Sequence, residues 1–147
     1  MELAYPGQIA MFKVFPNKRQ KPLFWEVLVF ADKGYMRRAY RLLDPADTDN
    51  RFGAIVIPQA YKKFINGKWH DMKASLGLVL FSATQLGAGT QCHEAVHMAL
   101  GYLRQVRIFP RLSRKSIDPQ EENLAYCVGQ CSAQLNANFY RLNCYRK

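Results

Sequence analysis

Two histidines and a glutamate stand close together in the stretch GAGTQCHEAVHMALGY, residues 87–102. His93, Glu94 and His97 spell the pattern H-E-x-x-H. On a helix, residues four positions apart lie on the same face, so both imidazoles reach one zinc ion at about 2.0 to 2.1 Å. Glu94 lies beside that face and would accept a proton from a zinc-bound water. The pattern predicts a catalytic zinc site, with a helix that merely carries two histidines as the alternative.

A catalytic zinc needs a third protein ligand, and no histidine follows His97 in the chain. Two glutamates do follow, Glu121 and Glu122. The run DPQE predicts a capping box in which Asp118 is the N-cap of a helix and Glu121 reaches back to it. Glu122 is then free, and we predict that it is the third zinc ligand.

The residues after Glu122 indicate how its side chain would reach the metal. Glu122, Ala125, Tyr126 and Gly129 share one face of the predicted helix, and two of them are small. We expect this face to let the helix of His93 approach closely, which would point Glu122 at the metal. The alternative is a carboxylate that is stabilised only by the positive end of its own helix dipole.

The segments HEAVH and EENLAYCVG together resemble the zincin metallopeptidases in which a glutamate on the next helix is the third ligand, the gluzincin-like arrangement. The resemblance is greatest to small metallopeptidases encoded by phages and prophages, and the E-x-x-A part is similar to that of the ImmA/IrrE type. It covers roughly residues 76–130. It implies zinc as cofactor, His93, His97 and Glu122 as ligands, and Glu94 as catalytic base. It also implies that an apolar strand at 76–82 borders a cleft where an extended peptide adds as a further strand. Tyr126 stands where ImmA/IrrE-like proteins commonly have asparagine, and no sensing domain follows, so regulation of a repressor is not implied.

A peptidase also stabilises the oxyanion of its tetrahedral intermediate, commonly with the zinc together with a tyrosine or histidine. Tyr126, one turn after Glu122, is the first candidate for this catalytic role, and His70 is the second. For both side chains, ordinary packing or surface exposure is the alternative interpretation.

The elements that must position these residues form an α+β pattern. Branched and aromatic residues predict strands at 8–16, 23–31, 53–58 and 76–82. Asn66 and Gly67 predict a hairpin turn, with a short helix before Asn66 as the alternative.

Helical spacing predicts three helices: 33–43 after Asp32 as N-cap, about 90–105, and 118 almost to the C-terminus. We expect the second helix to bury a stripe made of Val96, Ala99, Leu100 and Leu103. The expected fold is one zincin-like α+β domain over residues 1–147, in which a small N-terminal sheet packs against the H-E-x-x-H helix and a second C-terminal helix.

The four cysteines predict free thiols, because a chain of this length without an export signal is not a small disulfide scaffold. Cys127 and Cys131 lie four apart on the last helix and are expected to pack in the core rather than bind metal. Cys92 points about 100° away from the neighbouring His93, and we expect it to pack as well.

The chain carries a net charge of +10, from 21 basic and 11 acidic residues. This excess favours nucleic acid or another acidic partner without identifying it. No signal peptide or membrane-spanning run is evident, so a cytoplasmic protein is expected, in the host cytoplasm if a phage encodes it. The sequence therefore predicts a zinc peptidase that cleaves a peptide or protein substrate. The alternative is a basic inhibitor or regulator that binds nucleic acid or protein and holds zinc only to brace its fold.

Overall fold

The computed structural model describes residues 5–19, 22–46, 53–58, 62–71, 74–110 and 119–145. Strands and helices both occur within these ranges, which confirms the α+β class. The strands are β1 (Gln8–Val14), β2 (Phe24–Phe30), β3 (Ala54–Ile57), β4 (Lys62–Ile65), β5 (Lys68–Asp71) and β6 (Ser75–Ser82). The helices are α1 (Lys33–Leu43), α2 (Ala88–Gln105) and α3 (Pro119–Arg141).

Four of the strands form a mixed sheet in the order β1-β2-β6-β3. β1 runs antiparallel to β2, β2 parallel to β6, and β6 antiparallel to β3. In the described part of the chain, β3 is therefore an edge strand, while β6 is hydrogen-bonded on both sides. Within the described residues, β3 has unpaired backbone N–H and C=O groups along one side, whereas β6 has a partner strand on each side.

β4 and β5 form a separate two-stranded hairpin. Asn66 and Gly67 connect them, with φ angles of 50° and 78°. Positive φ at both turn residues is what a two-residue hairpin requires, and Asn-Gly is a preferred pair for it. The predicted hairpin is confirmed, and the helix before Asn66 is wrong.

Both faces of the four-stranded sheet are covered, because every residue of β2 is buried. Trp25, Val27 and Val29 pack into the core under α2 and α3. The alternate residues Leu28 and Phe30 pack against α1 on the other face. The sheet thus lies between α1 and the pair of C-terminal helices, and not against the latter alone.

The helices begin where their sequences favour it. Asp32 caps α1 as predicted, since its Oδ1 accepts a hydrogen bond from the Tyr35 backbone N–H at 3.0 Å. α2 instead begins after Gly87 without a side-chain cap. Of the stripe predicted for α2, Ala99 and Leu103 are buried, but Val96 is 40% exposed. Among the helices described, none combines the length and the apolar character needed to cross a bilayer.

Candidate metal centre and cleft

His93 and His97 lie one turn apart on the outer side of α2, and both are exposed. Their Nε2 atoms are 3.2 Å apart, and their ring centroids are 4.9 Å apart at an interplanar angle of 68°. The two rings thus direct the same nitrogen toward one point, as the spacing in the sequence predicts. Two imidazole nitrogens in this arrangement are a donor set suited to a transition-metal ion.

Glu94 follows His93 in sequence but is buried, with 5% of its surface exposed. Its Oε1 lies 4.0 Å from Nε2 of His93. Desolvation raises the pKa of Glu94, and the nearby His93 opposes that rise with a smaller effect. A partly desolvated carboxylate with a raised pKa is a better proton acceptor than one in water, which suits a general base.

Contacts with β2 fix the part of α2 that carries these residues. The buried indole of Trp25 donates a hydrogen bond from Nε1 to the Met98 carbonyl at 2.9 Å. Gly101 permits the close approach, because a Cβ added there would lie 2.6 Å from Cζ2 of Trp25. One aromatic side chain of the sheet therefore contacts α2 at two positions three residues apart.

The histidines border an open cleft between α2 and β3. A cavity of about 290 Å³ extends toward the C-terminal end of α2 and is lined by Trp25, Ala54, Ile55, Val56, Pro58, His93, Glu94, His97, Gly101 and Arg104. A second cavity, of about 500 Å³, extends toward the start of α2, and Ala54, His93 and Glu94 line it as well. The three shared residues place the candidate metal centre in the middle of a groove.

The strand that borders this groove is β3. The resemblance implied that the strand at 76–82 would do so, but β6 lies inside the sheet between β2 and β3. An inner strand has no free backbone groups to offer to a peptide. The prediction that β6 borders the cleft and pairs with a peptide is wrong, because β3 (residues 54–57) is hydrogen-bonded to β6 and takes the edge position.

Glu122 is exposed near the start of α3. The buried stripe of α3 includes Cys131, and Glu122 precedes that residue by nine positions, which at about 100° each places it on the opposite face. Ala125 and Gly129 are exposed too, and a Cβ added at Gly129 would meet nothing within 4 Å. The predicted close helix contact at these small residues is wrong.

This geometry therefore does not bring Glu122 to the histidine pair. In the ranges described, no three His, Cys, Asp or Glu side chains form a group that could hold a metal ion. Asp118 falls outside the described residues, so the predicted capping box does as well. Glu121, its predicted partner, is half-buried. Glu122 as a ligand stays a prediction.

The two candidates for oxyanion stabilisation lie elsewhere. Tyr126 is half-buried, and the guanidinium of Arg19 lies over its ring at 4.7 Å. This contact places Tyr126 beside the loop that follows β1. His70 is exposed on β5 of the hairpin. Neither residue is among those described as lining the two cavities.

The cysteines divide into two groups. Cys127, Cys131 and Cys144 are free and buried, which confirms the free thiols and, for Cys127 and Cys131, the predicted packing in the core. Cys92 is free and exposed, so its predicted packing is wrong. It lies on the side of α2 that neither the sheet nor α3 covers, which a sequence pattern does not reveal.

Three features of the cleft were not predicted from the sequence: the edge strand β3, the Trp25 ring that lines the cavity, and Arg104. Arg104 follows His97 by seven residues, which is two helical turns, so the same helix-face argument that paired the histidines could have found it. The contributions of β3 and Trp25 come from distant parts of the chain and leave no such local signal.

Comparison with protein-family models, with curated proteins and with solved structures finds no match for this chain. The resemblance to phage metallopeptidases therefore stays a prediction, supported by the residues of the motif alone.

Proposed function

We propose that this chain is a zinc-dependent peptidase whose metal is held by His93 and His97 and whose general base is Glu94. The observation that carries the proposal is the 3.2 Å separation between the two Nε2 atoms. Two nitrogen ligands at about 2.0 to 2.1 Å from a tetrahedral zinc ion are about 3.3 Å apart. The pair thus has the spacing of two ligands of one ion, and its exposure lets an ion enter.

A zinc ion at this position would polarise a substrate carbonyl and acidify a water molecule. The chain's own contribution to the reaction is Glu94. Because burial raises its pKa, the carboxylate accepts a proton from the attacking water and is able to pass that proton to the departing amine. Its position beside His93 keeps both transfers within the cleft.

The substrate class follows from the edge of the sheet. β3 has an unpaired edge in the described part of the chain and lines the groove with Ala54 and Val56. An extended peptide adds to such an edge through main-chain hydrogen bonds, which do not depend on its sequence. It would then lie between β3 and the histidines, with a backbone carbonyl available to the metal.

The resemblance assigns the role of third ligand to Glu122, although this side chain is exposed on α3 and forms no metal-binding group with the histidines in the described part of the chain. Metal content measured by elemental analysis tests the whole ligand set. Zinc near one equivalent in the wild type should be lost in His97→Ala and kept in Gln105→Ala, a control at the exposed end of the same helix. Loss in Glu122→Ala with retention in Glu121→Ala would establish Glu122, whereas retention in both would remove it. Zinc-free wild type, prepared without chelators, would reject the metal centre.

Turnover of a peptide mixture, followed by mass spectrometry, tests the activity. Glu94→Gln should keep its zinc and lose activity by about 10²- to 10⁴-fold, the usual contribution of a general base. Undiminished turnover in this variant would reject the peptidase mechanism. Stoichiometric zinc without any turnover would instead favour the structural-zinc alternative, for which retention on DNA should fall steeply with added salt.

A further inference from the structure

The groove continues beyond the histidines along the C-terminal half of α2 and ends at a positive charge. Arg104 lies seven residues after His97, so it projects within about 20° of the same direction and about 10.5 Å farther along the helix axis. It is exposed and lines the same cavity as the histidines. The cavity thus joins a candidate metal centre to a guanidinium.

Trp25 and Gly101 line the cavity between these two points. Gly101 lies one turn after His97 and has no side chain, and the edge of the Trp25 ring lies directly beneath it. A Cβ at this position would lie 2.6 Å from Cζ2 of Trp25, so the backbone of α2 rests directly on the indole and no side chain of residue 101 stands between His97 and Arg104. One cavity of about 290 Å³ is lined by His97 at one end and Arg104 at the other, so a single ligand reaches both.

β3 runs beside this passage. Ala54 lines both cavities near His93, whereas Pro58, just after the strand, lines the cavity that contains Arg104. A peptide paired with the free edge of β3 would accordingly be led from the histidines toward Arg104. Because an extended chain advances about 3.3 Å per residue, the distance of about 10.5 Å corresponds to about three residues.

The charged residues of the cavity also favour an acidic ligand. Among the described residues that line this cavity, Glu94 is the only acid, and its carboxylate is buried beside His93. The Arg104 guanidinium is exposed at the opposite end, where its planar fork of donors matches a carboxylate. A basic protein of net charge +10 also attracts acidic ligands at long range.

We infer that Arg104 is a specificity residue that binds a substrate carboxylate about three residues from the bond that is cleaved. The carboxylate comes either from an aspartate or glutamate side chain or from the free C-terminus of a short peptide. This inference rests on the proposed function, because the histidine pair defines where the substrate carbonyl lies.

The test uses peptide hydroxamates, whose metal-binding group fixes the register of the peptide without any need for cleavage. A fluorescent hydroxamate series carries glutamate at each of four successive positions, with matched glutamine and lysine peptides. A second series compares a free C-terminus with a C-terminal amide. Affinities for the zinc-loaded protein are measured by fluorescence anisotropy at low and high salt, and metal content is determined separately for every variant. Arg104→Gln and Arg104→Glu are compared with Arg107→Gln, an exposed arginine near the same helix end that is not among the lining residues.

The expected result is a preference of about 3- to 10-fold for a carboxylate at about the third position, weakened by salt, as for a partly exposed charge-assisted contact. Arg104→Gln should abolish this preference, Arg104→Glu should reverse it in favour of lysine, and Arg107→Gln should leave it unchanged. Equal binding of glutamate and glutamine peptides by a protein that retains zinc and binds the hydroxamate would overturn the role of Arg104 alone. A protein without zinc that binds no hydroxamate would overturn this role and the proposed peptidase together.

Discussion

Gly101 and Gly129 offer a matched pair of substitutions that measures how closely α2 lies on the sheet. Both glycines lie inside helices. A Cβ at Gly101 would approach Trp25 Cζ2 to 2.6 Å and Cη2 to 3.1 Å, while one at Gly129 would meet nothing within 4 Å. Trp25 is fully buried and its indole nitrogen is tied to Met98, so its ring cannot easily move aside. Alanine should therefore have opposite effects at the two positions.

The magnitudes follow from two contributions to the free energy of unfolding. Replacing glycine by alanine inside a helix stabilises a protein by about 0.8 to 1.0 kcal/mol. Overpacking a tight core destabilises it by about 1 to 3 kcal/mol. We expect Gly129→Ala to be about 0.8 to 1.0 kcal/mol more stable than the wild type and Gly101→Ala to be about 1 kcal/mol less stable. The helix contribution cancels between the variants, so their difference of about 1 to 3 kcal/mol measures the clash with Trp25.

Urea unfolding followed by far-UV circular dichroism measures these values, provided that the slope of unfolding free energy against urea concentration is the same in both variants as in the wild type. A Gly101→Ala protein as stable as Gly129→Ala would refute the close contact between α2 and Trp25. Destabilisation by Gly129→Ala would show instead that another helix packs on Gly129, as the sequence alone predicted.

Three other predictions concern α3 and the thiols. Gln134→Ala should lower the free energy of unfolding by about 1 to 3 kcal/mol in urea titrations, because the Gln134 amide accepts from the Phe15 N–H at 2.9 Å and donates to the Phe15 carbonyl at 2.8 Å. Under native conditions a thiol reagent should modify Cys92 rapidly and the buried cysteines only after unfolding, as read by mass spectrometry. Burial also raises the pKa of the Cys127 thiol to about 11. Above pH 9 the unfolded chain loses this proton before the folded chain does, so the stability contributed by Cys127 should fall by roughly 2 to 3 kcal/mol between pH 9 and 11.

Each of these outcomes has its own control. Asn123→Ala removes an exposed amide on α3 that, among the described residues, bonds locally to Gln120, so it should leave stability nearly unchanged. An equal loss there would show that Gln134 makes no specific link to the end of β1. Rapid modification of more than one thiol in the folded protein would contradict the burial of the other cysteines. For the pH effect, Cys127→Ala should lose stability less steeply than the wild type above pH 9, and parallel curves would mean that burial does not perturb Cys127.

The sequence by itself determined the features that depend on neighbours a few residues apart. The spacing of His93 and His97 places them on one helix face whatever the helix packs against, and the structure brings their nitrogens to 3.2 Å. Asp32 caps α1, and Asn66 with Gly67 turns the hairpin, because these effects arise from local hydrogen bonds and allowed φ angles. The free state of the cysteines followed from composition and chain length, although the exposure of Cys92 did not.

Only the tertiary structure decided which face of each helix is covered and which strand lies at the edge. Small residues at Ala125 and Gly129 are as compatible with solvent as with a helix contact, and the core instead forms on the face of Cys131. The apolar run of β6 does not reveal that β3, some 20 positions earlier in the chain, pairs with it and takes the edge. The helix spacing places Arg104 on the face of the histidines, but the groove that joins them is walled by β3 and Trp25, which come from distant parts of the sequence. Such pairings depend on how apolar faces far apart in the chain are buried together, and no local pattern encodes that choice.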